Sequence, residues 1–378
     1  MKQVIKLIGG LLIGIVAGLL IGAVISLIIS DVSFSEFVAN LASAKTLEII
    51  GAAFVGMAAL IVAGIILIPV HEAGHLVCGL LSGYRFVSFR IFNLTFIKID
   101  GKLRVKRFSV EGTGGQCLLT PPDLPLEKIP VAWYNAGGLL ANIIVLILVL
   151  PLLWLNLNPF VAEALIIFML TDVLMILING IPIKISGIGN DGYNILYLSK
   201  NLMSKRSMLI QLRSNALVQN GIRPKEMPDD WFEWTVDINF KNPFEVSIPL
   251  MFASRLVDEM NFEEAYDKFN QLYGHKSEIM QLYVNEIACE LAFCAMVTGR
   301  LDVASEILDD KLMKYIETYR KVMSSKQRLL CAKALYLDAD RNKAMEIFNA
   351  LESSENEYLL QGEVKSDLAI MRHFLDSK

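Results

Sequence analysis

The chain has 378 residues, of which 54 % are hydrophobic, with a formal net charge of −4 and a positive mean hydropathy. This is too apolar for an ordinary soluble protein, and the mild acidity, with no basic domain, speaks against a nucleic-acid partner. The average hides a break near residue 200, with long uncharged runs before it and densely charged text after it. Five cysteines (Cys78, Cys117, Cys289, Cys294 and Cys331) form no CxxC pair, which argues against a disulfide framework and fits a reducing compartment.

The first apolar run, residues 7–30, follows Lys2 and Lys6 and is long enough to span a bilayer. It is too long for a signal-peptide core and lacks a small-x-small cleavage site, so it reads as an uncleaved anchor. Gly10, Gly14, Gly18 and Gly22 recur every four residues, which places a smooth stripe on one helix face. Residues 31–46 are a polar link. A second run from about Leu47 to Leu81 is longer than one bilayer needs, and Pro69 near its end is expected to kink it or open its backbone.

That run ends on His71-Glu72-Ala73-Gly74-His75. Two histidines four apart on a helix lie one above the other and can give two imidazole nitrogens to one metal ion. Glu72, between them, can serve as general base toward a water held by that metal. The plainer alternative is a trio making structural hydrogen bonds between helices. The location weighs against it, because ionisable side chains at membrane depth are costly and are kept for function. Cys78, one turn on, reads as packing, with a thiolate ligand as the alternative.

From Phe86 the text alternates and is rich in aromatic and β-branched residues. Asp100-Gly101 is a turn signal, and alternation resumes from Lys102, so a β-hairpin is expected over about 84–110. Gly112, Gly114, Gly115 and Pro121-Pro122 read as loop. A third span covers about Val131 to Leu155. A fourth, Pro159 to Ile181, carries Asp172. The 83–129 loop holds Arg85, Arg90, Lys98, Lys102, Arg104, Lys106, Arg107 and Lys128, whereas the other links hold almost no basic residues. The positive-inside rule then places this loop and both termini in the cytosol.

Residues 201–378 read as amphipathic helices with a weak repeat. Asn261–Phe269, Arg300–Leu308 and Arg341–Phe348 each place an alanine (Ala265, Ala304, Ala344) where two helices would cross, about forty residues apart. This is the grammar of stacked helical hairpins of the tetratricopeptide kind, with generic helical packing as the alternative.

Taken together, these residues resemble the site-2 protease family of intramembrane zinc metalloproteases over roughly residues 50–195. His71-Glu72-Ala73-Gly74-His75 stands where that family has its zinc-binding helix. The hairpin resembles its membrane-associated β-region, and Gly138-Leu-Leu-Ala-Asn142 resembles its Gly-x-x-x-Asn motif. Asn179-x-x-Pro182 followed by Asp191-Gly192 resembles its Asn-x-x-Pro…Asp-Gly motif, whose aspartate is the third zinc ligand. Asn179 and Asp191 stand further apart than in the family, and Asn190 replaces an apolar residue. The resemblance therefore implies a Zn2+ site of His71, His75 and Asp191, with Asp172 as the competing carboxylate and Glu72 as catalytic base. Asn142 is a candidate contact for substrate backbone or oxyanion, or else a helix–helix hydrogen bond. Asn179 is a candidate substrate clamp, or else a loop anchor before Pro182.

The expected fold is an α-helical polytopic membrane protein of about four transmembrane helices with a cytosolic β-hairpin and an all-α soluble C-terminal domain of stacked helical hairpins. Residues 1–46 form the anchor and link, 47–200 the metalloprotease core and 201–378 the cytosolic helical domain. The implied activity is endopeptidase cleavage of a membrane-embedded protein or peptide near the cytosolic face of a cell membrane, in regulated proteolysis or in processing of signal peptides or pheromones. The short loops and the resemblance point to a bacterial membrane. The hairpin could pair with an unwound substrate as an added strand, and the 201–378 region could recruit a cytosolic protein partner. The alternative is a non-catalytic membrane scaffold that uses the helical domain, although a scaffold needs no base between two ligands. A zinc transporter is a third reading, for which the chain has few intramembrane acids and histidines.

Overall fold

A computed structural model describes residue 35 and residues 46–99, 102–108, 114–185, 188–234 and 238–377. The 7–30 run with its glycine stripe, most of the 31–46 link, the Asp100-Gly101 turn, Gly112 and Gly187 lie outside the described residues. The protein is mostly helical, with a small antiparallel sheet. Among the described residues, three stretches are long and apolar enough to cross a membrane: Gly51–Leu81, Leu126–Trp154 and Pro159–Gly180.

These stretches correspond to helices α1 (Thr46–Leu81), α2 (Val131–Val149) and α3 (Pro159–Gly180). With its 36 residues, α1 is roughly 54 Å long at 1.5 Å per residue, well beyond a hydrocarbon core of about 30 Å. It stays helical through Pro69. The proline removes one backbone donor, yet the helix closes over it. Asn158 starts α3 by accepting from the Phe160 amide, with Pro159 at the first helical position.

The chain divides into two compact units: residues 1–74 with 138–180, and residues 75–137 with 181–378. The first holds the apolar helix segments. In it α1 approaches α3 at Gly56, where a Cβ would sit 3.1 Å from Ile167 Cδ1.

The second unit contains a four-stranded antiparallel sheet in the order β3-β2-β1-β4, formed by β1 (Arg85–Ile91), β2 (Leu94–Ile99), β3 (Lys102–Arg107) and β4 (Gly115–Thr120). The expected hairpin is the β2–β3 pair, with Ile99 opposite Lys102. Two features differ from the expectation. The long alternating run breaks at Phe92-Asn93, where Phe92 takes a positive φ of 53°. A two-residue turn keeps the alternation in phase, so the break leaves no gap in the pattern. Gly115, expected as loop, instead opens β4, which pairs with β1. Cys117, Leu118 and Leu119 are buried on both faces, and a strand with two buried faces shows no alternation. The Arg90 guanidinium is buried and donates to the carbonyls of Phe92 and Gly115, so it braces this corner.

A two-stranded hairpin, β5 (Lys184–Ile185) with β6 (Ile188–Gly189), leads into α4 (Asp191–Leu198). Next, α5 (Leu202–Gln219) packs on the sheet, where Ala216 joins Val87 and Leu118, and Met208 and Leu209 join Tyr84, Cys117 and Leu119. Helix α5 is thus built onto the sheet.

The remaining helices are α6 (Pro243–Asp258), α7 (Phe262–Gly274), α8 (Gln281–Val297), α9 (Leu301–Ile307), α10 (Asp310–Tyr319), α11 (Ser324–Tyr336), α12 (Arg341–Ser353) and α13 (Gln361–Asp376). They enclose one apolar core. Three of the helix-to-helix turns share a backbone feature. Met260, Gly299 and Ala339 all take positive φ at the turns joining α6 to α7, α8 to α9 and α11 to α12. Ala265, Ala304 and Ala344 are fully buried just after those turns. A left-handed residue at each helix end closes the hairpin, and the small alanine lets the next helix pack closely.

Candidate metal centre

Helical geometry sets His71 and His75 one turn apart on α1, and both are buried. The two rings are fixed by different partners. His75 Nδ1 donates to the Tyr134 backbone carbonyl at 2.8 Å. A carbonyl only accepts, so His75 carries its proton on Nδ1 and keeps Nε2 as a ligand atom. His71 Nδ1 lies 2.8 Å from Asn142 Oδ1.

Asp191 is the first residue of α4, and its Oδ2 lies 3.3 Å from His75 Nε2. One ligand atom each from His71, His75 and Asp191 can be chosen so that all lie within 4.8 Å of one another. Two neutral imidazoles and one carboxylate are the donor set of a catalytic zinc, which keeps a fourth position open. Ligand atoms about 2.0–2.1 Å from a tetrahedral zinc stand about 3.3 Å apart, which matches the His75–Asp191 separation. The residues fit the metal. Glu72 is half-buried beside His71 on the same turn of helix.

The placement of Asp191 rests on Asn190. The Asn190 side-chain oxygen accepts from the Tyr193 amide at 2.9 Å and so caps α4; it also accepts from the Ile183 amide at 3.2 Å. Its Nδ2 donates to the Ile181 carbonyl at 2.6 Å. One side chain therefore starts the helix and ties down the base of the β5–β6 hairpin. Between Pro182 and Asp191, β5 and β6 pair antiparallel, with Lys184 opposite Gly189. The positive end of the α4 dipole also favours the Asp191 carboxylate at the first helical position.

Tyr134 positions His75 in three ways. Its carbonyl accepts from the imidazole, its hydroxyl donates to the Cys117 carbonyl at 2.6 Å, and its ring stacks on Tyr84 at 5.1 Å. Burial pushes the Tyr84 phenol well above its ordinary value, so it remains a neutral stacking surface. Gly79 allows this packing, since a Cβ there would meet Leu119 Cδ1 at 2.2 Å and Tyr134 Cδ2 at 3.2 Å. A backbone carbonyl leaves no trace in a sequence, which is why Tyr134 escapes sequence reasoning. Asn190 does have a signal, as an Asx residue directly before a helix.

Of the remaining candidates, Asn142 touches the site through His71; it is fully buried, and its Nδ2 donates to Asp172 Oδ1 at 2.6 Å. Asp172 is thus bonded to Asn142 and does not belong to the three-ligand cluster. Asn179 donates to the Met175 carbonyl of its own helix at 3.0 Å. Cys78 is a free thiol outside the cluster. No family model, curated protein or solved structure matches the chain.

Proposed function

We propose that this protein is an intramembrane zinc endopeptidase of the site-2 protease kind, with His71, His75 and Asp191 as metal ligands and Glu72 as general base. The observation that carries the proposal is the convergence of two buried imidazoles and one carboxylate, beside a glutamate, on a helix of membrane length. When bound, zinc supplies a Lewis acid and lowers the pKa of a coordinated water to about 7. Glu72 takes the proton from the attacking water and delivers it to the leaving amine. His75, held through Nδ1 by Tyr134, and Asp191, held by the capped start of α4, keep the ligand set rigid during that transfer.

On this reading the chain is a multi-pass membrane protein whose basic sheet and helical domain face the cytosol, and the substrate is a membrane-embedded protein or peptide cut near that face. A substrate helix hides its peptide bonds in its own hydrogen bonds and must unwind before hydrolysis. The β3 edge, outermost in the sheet, suits pairing with such an unwound strand.

The test compares the membrane proteome of cells carrying the wild-type protein with that of cells carrying Glu72→Gln. The variant is expected to keep its fold and metal and to lose the fragments that the wild type generates, with a rate loss of about 10²–10⁴-fold. Identical fragments from both proteins would defeat the peptidase reading and favour a scaffold.

A further inference from the structure

The membrane-depth carboxyl of Asp172 lies outside the ligand cluster, yet it is fully buried in α3. Its Oδ1 accepts from Asn142 Nδ2 at 2.6 Å, and its Oδ2 has no hydrogen-bond partner among the described residues. Pinning α2 to α3 requires no acid, because an amide or hydroxyl does so at lower desolvation cost. We infer that Asp172 is a positioning residue that acts through Asn142 to fix which nitrogen His71 offers the metal; this rests on the zinc reading above.

As a carboxylate, Asp172 has no donor to offer, so the Asn142 amide must turn its Nδ2 toward it. That leaves Asn142 Oδ1 facing His71 Nδ1, 2.8 Å away. An amide oxygen only accepts, so Nδ1 carries the proton and Nε2 is the ligand atom. The carboxylate–histidine pairing common at zinc sites is here extended by one asparagine across two helices. His75 obtains the same tautomer from a backbone carbonyl, which needs no such chain. The arrangement also explains why an acid stands at position 172. An asparagine there would present both donor and acceptor, and Asn142 could then sit either way round.

The test uses the full chain in detergent micelles, with isotope-labelled histidine nitrogens read by NMR and zinc affinity read by chelator competition. The chain has four histidines, so the signals can be assigned one by one. In the wild type, neutral His71 and His75 should both carry the proton on Nδ1. In Asp172→Asn, which matches the aspartate in size and still bridges the helices, His71 should become a mixture of tautomers while His75 is unchanged. Zinc affinity should fall about 10–100-fold. Asp172→Leu should show the same changes, and if it does not fold the asparagine variant decides alone. An unchanged His71 tautomer in Asp172→Asn would overturn the inference, as would unchanged zinc affinity. The tautomers are read without metal, so a wild type that binds no zinc, beside a mixed His71 tautomer in Asp172→Asn, would defeat the zinc reading and not the orienting chain.

Discussion

At the scale of single residues, the site depends on polar side chains that each do more than one thing. Asn190 is the clearest case, since it caps α4 and ties down the loop before it. Asn190→Ala should cost about 1 kcal/mol from the lost cap, and zinc affinity should fall about 10–100-fold, as when other supports of a metal ligand are removed. Thermal unfolding and chelator competition on one preparation check both, and a variant that loses stability but not affinity would show that Asp191 is placed without it. This residue marks the limit of what the sequence conveys. The pairing of His71 with His75 is legible because four residues make about one helical turn. The approach of Asp191 is not, because it depends on a short hairpin and a cap, and the Asn before Asp-Gly reads as a departure until its hydrogen bonds are seen. Tyr134 is illegible for another reason: its bond to His75 comes from the backbone, which is the same at every residue.

At the scale of elements, the membrane-length helices are plain in the sequence because apolar runs of that length have few other uses. The sheet is only half legible. A turn at Phe92-Asn93 carries no Asn-Gly signature and keeps the alternation in phase, so β1 and β2 read as one strand. The Gly79 contact with β4 is equally hidden, yet it sets how closely α1 approaches the sheet. Gly79→Val should destabilise the protein by about 1–3 kcal/mol through overpacking against Leu119 and Tyr134. An unchanged melting temperature in detergent would contradict that close approach. In the helical domain, Glu363 on α13 stands near the carboxylates of Asp367, Glu286 and Glu290, with Lys326 as the opposing charge, and burial together with those carboxylates pushes it up to about 8. Its folded value lies above its ordinary one, so its contribution is fully present below about 4.5 and is lost as pH rises through about 8. Glu363→Gln should therefore raise the melting temperature at pH 9 and leave it nearly unchanged at pH 5. An equal shift at both pH values would show that Glu363 ionises normally in the folded protein.

At the scale of the whole molecule, two kinds of text are joined in one chain. On the proposed reading, the apolar segments would supply a dry setting in which a metal and a base act strongly on a peptide bond. Within the second compact unit the sheet, with α5 laid over it, packs with Leu76, Tyr134 and Leu198. Charge density alone places a boundary near residue 200, because composition reports what surrounds a segment and not what it packs against. The buried pairs of Lys326 with Glu286 and of Arg328 with Glu290 and Asp367 add directional bonds to the core of the helical domain. The central claim is that His71, His75 and Asp191 hold one zinc ion. The most direct measurement is the zinc content of the purified full-length protein after metal reconstitution, beside His75→Ala and Asp191→Ala. Near one zinc per chain in the wild type, lost in both variants, is the predicted result; no zinc in the wild type, or full retention in Asp191→Ala, would contradict the account.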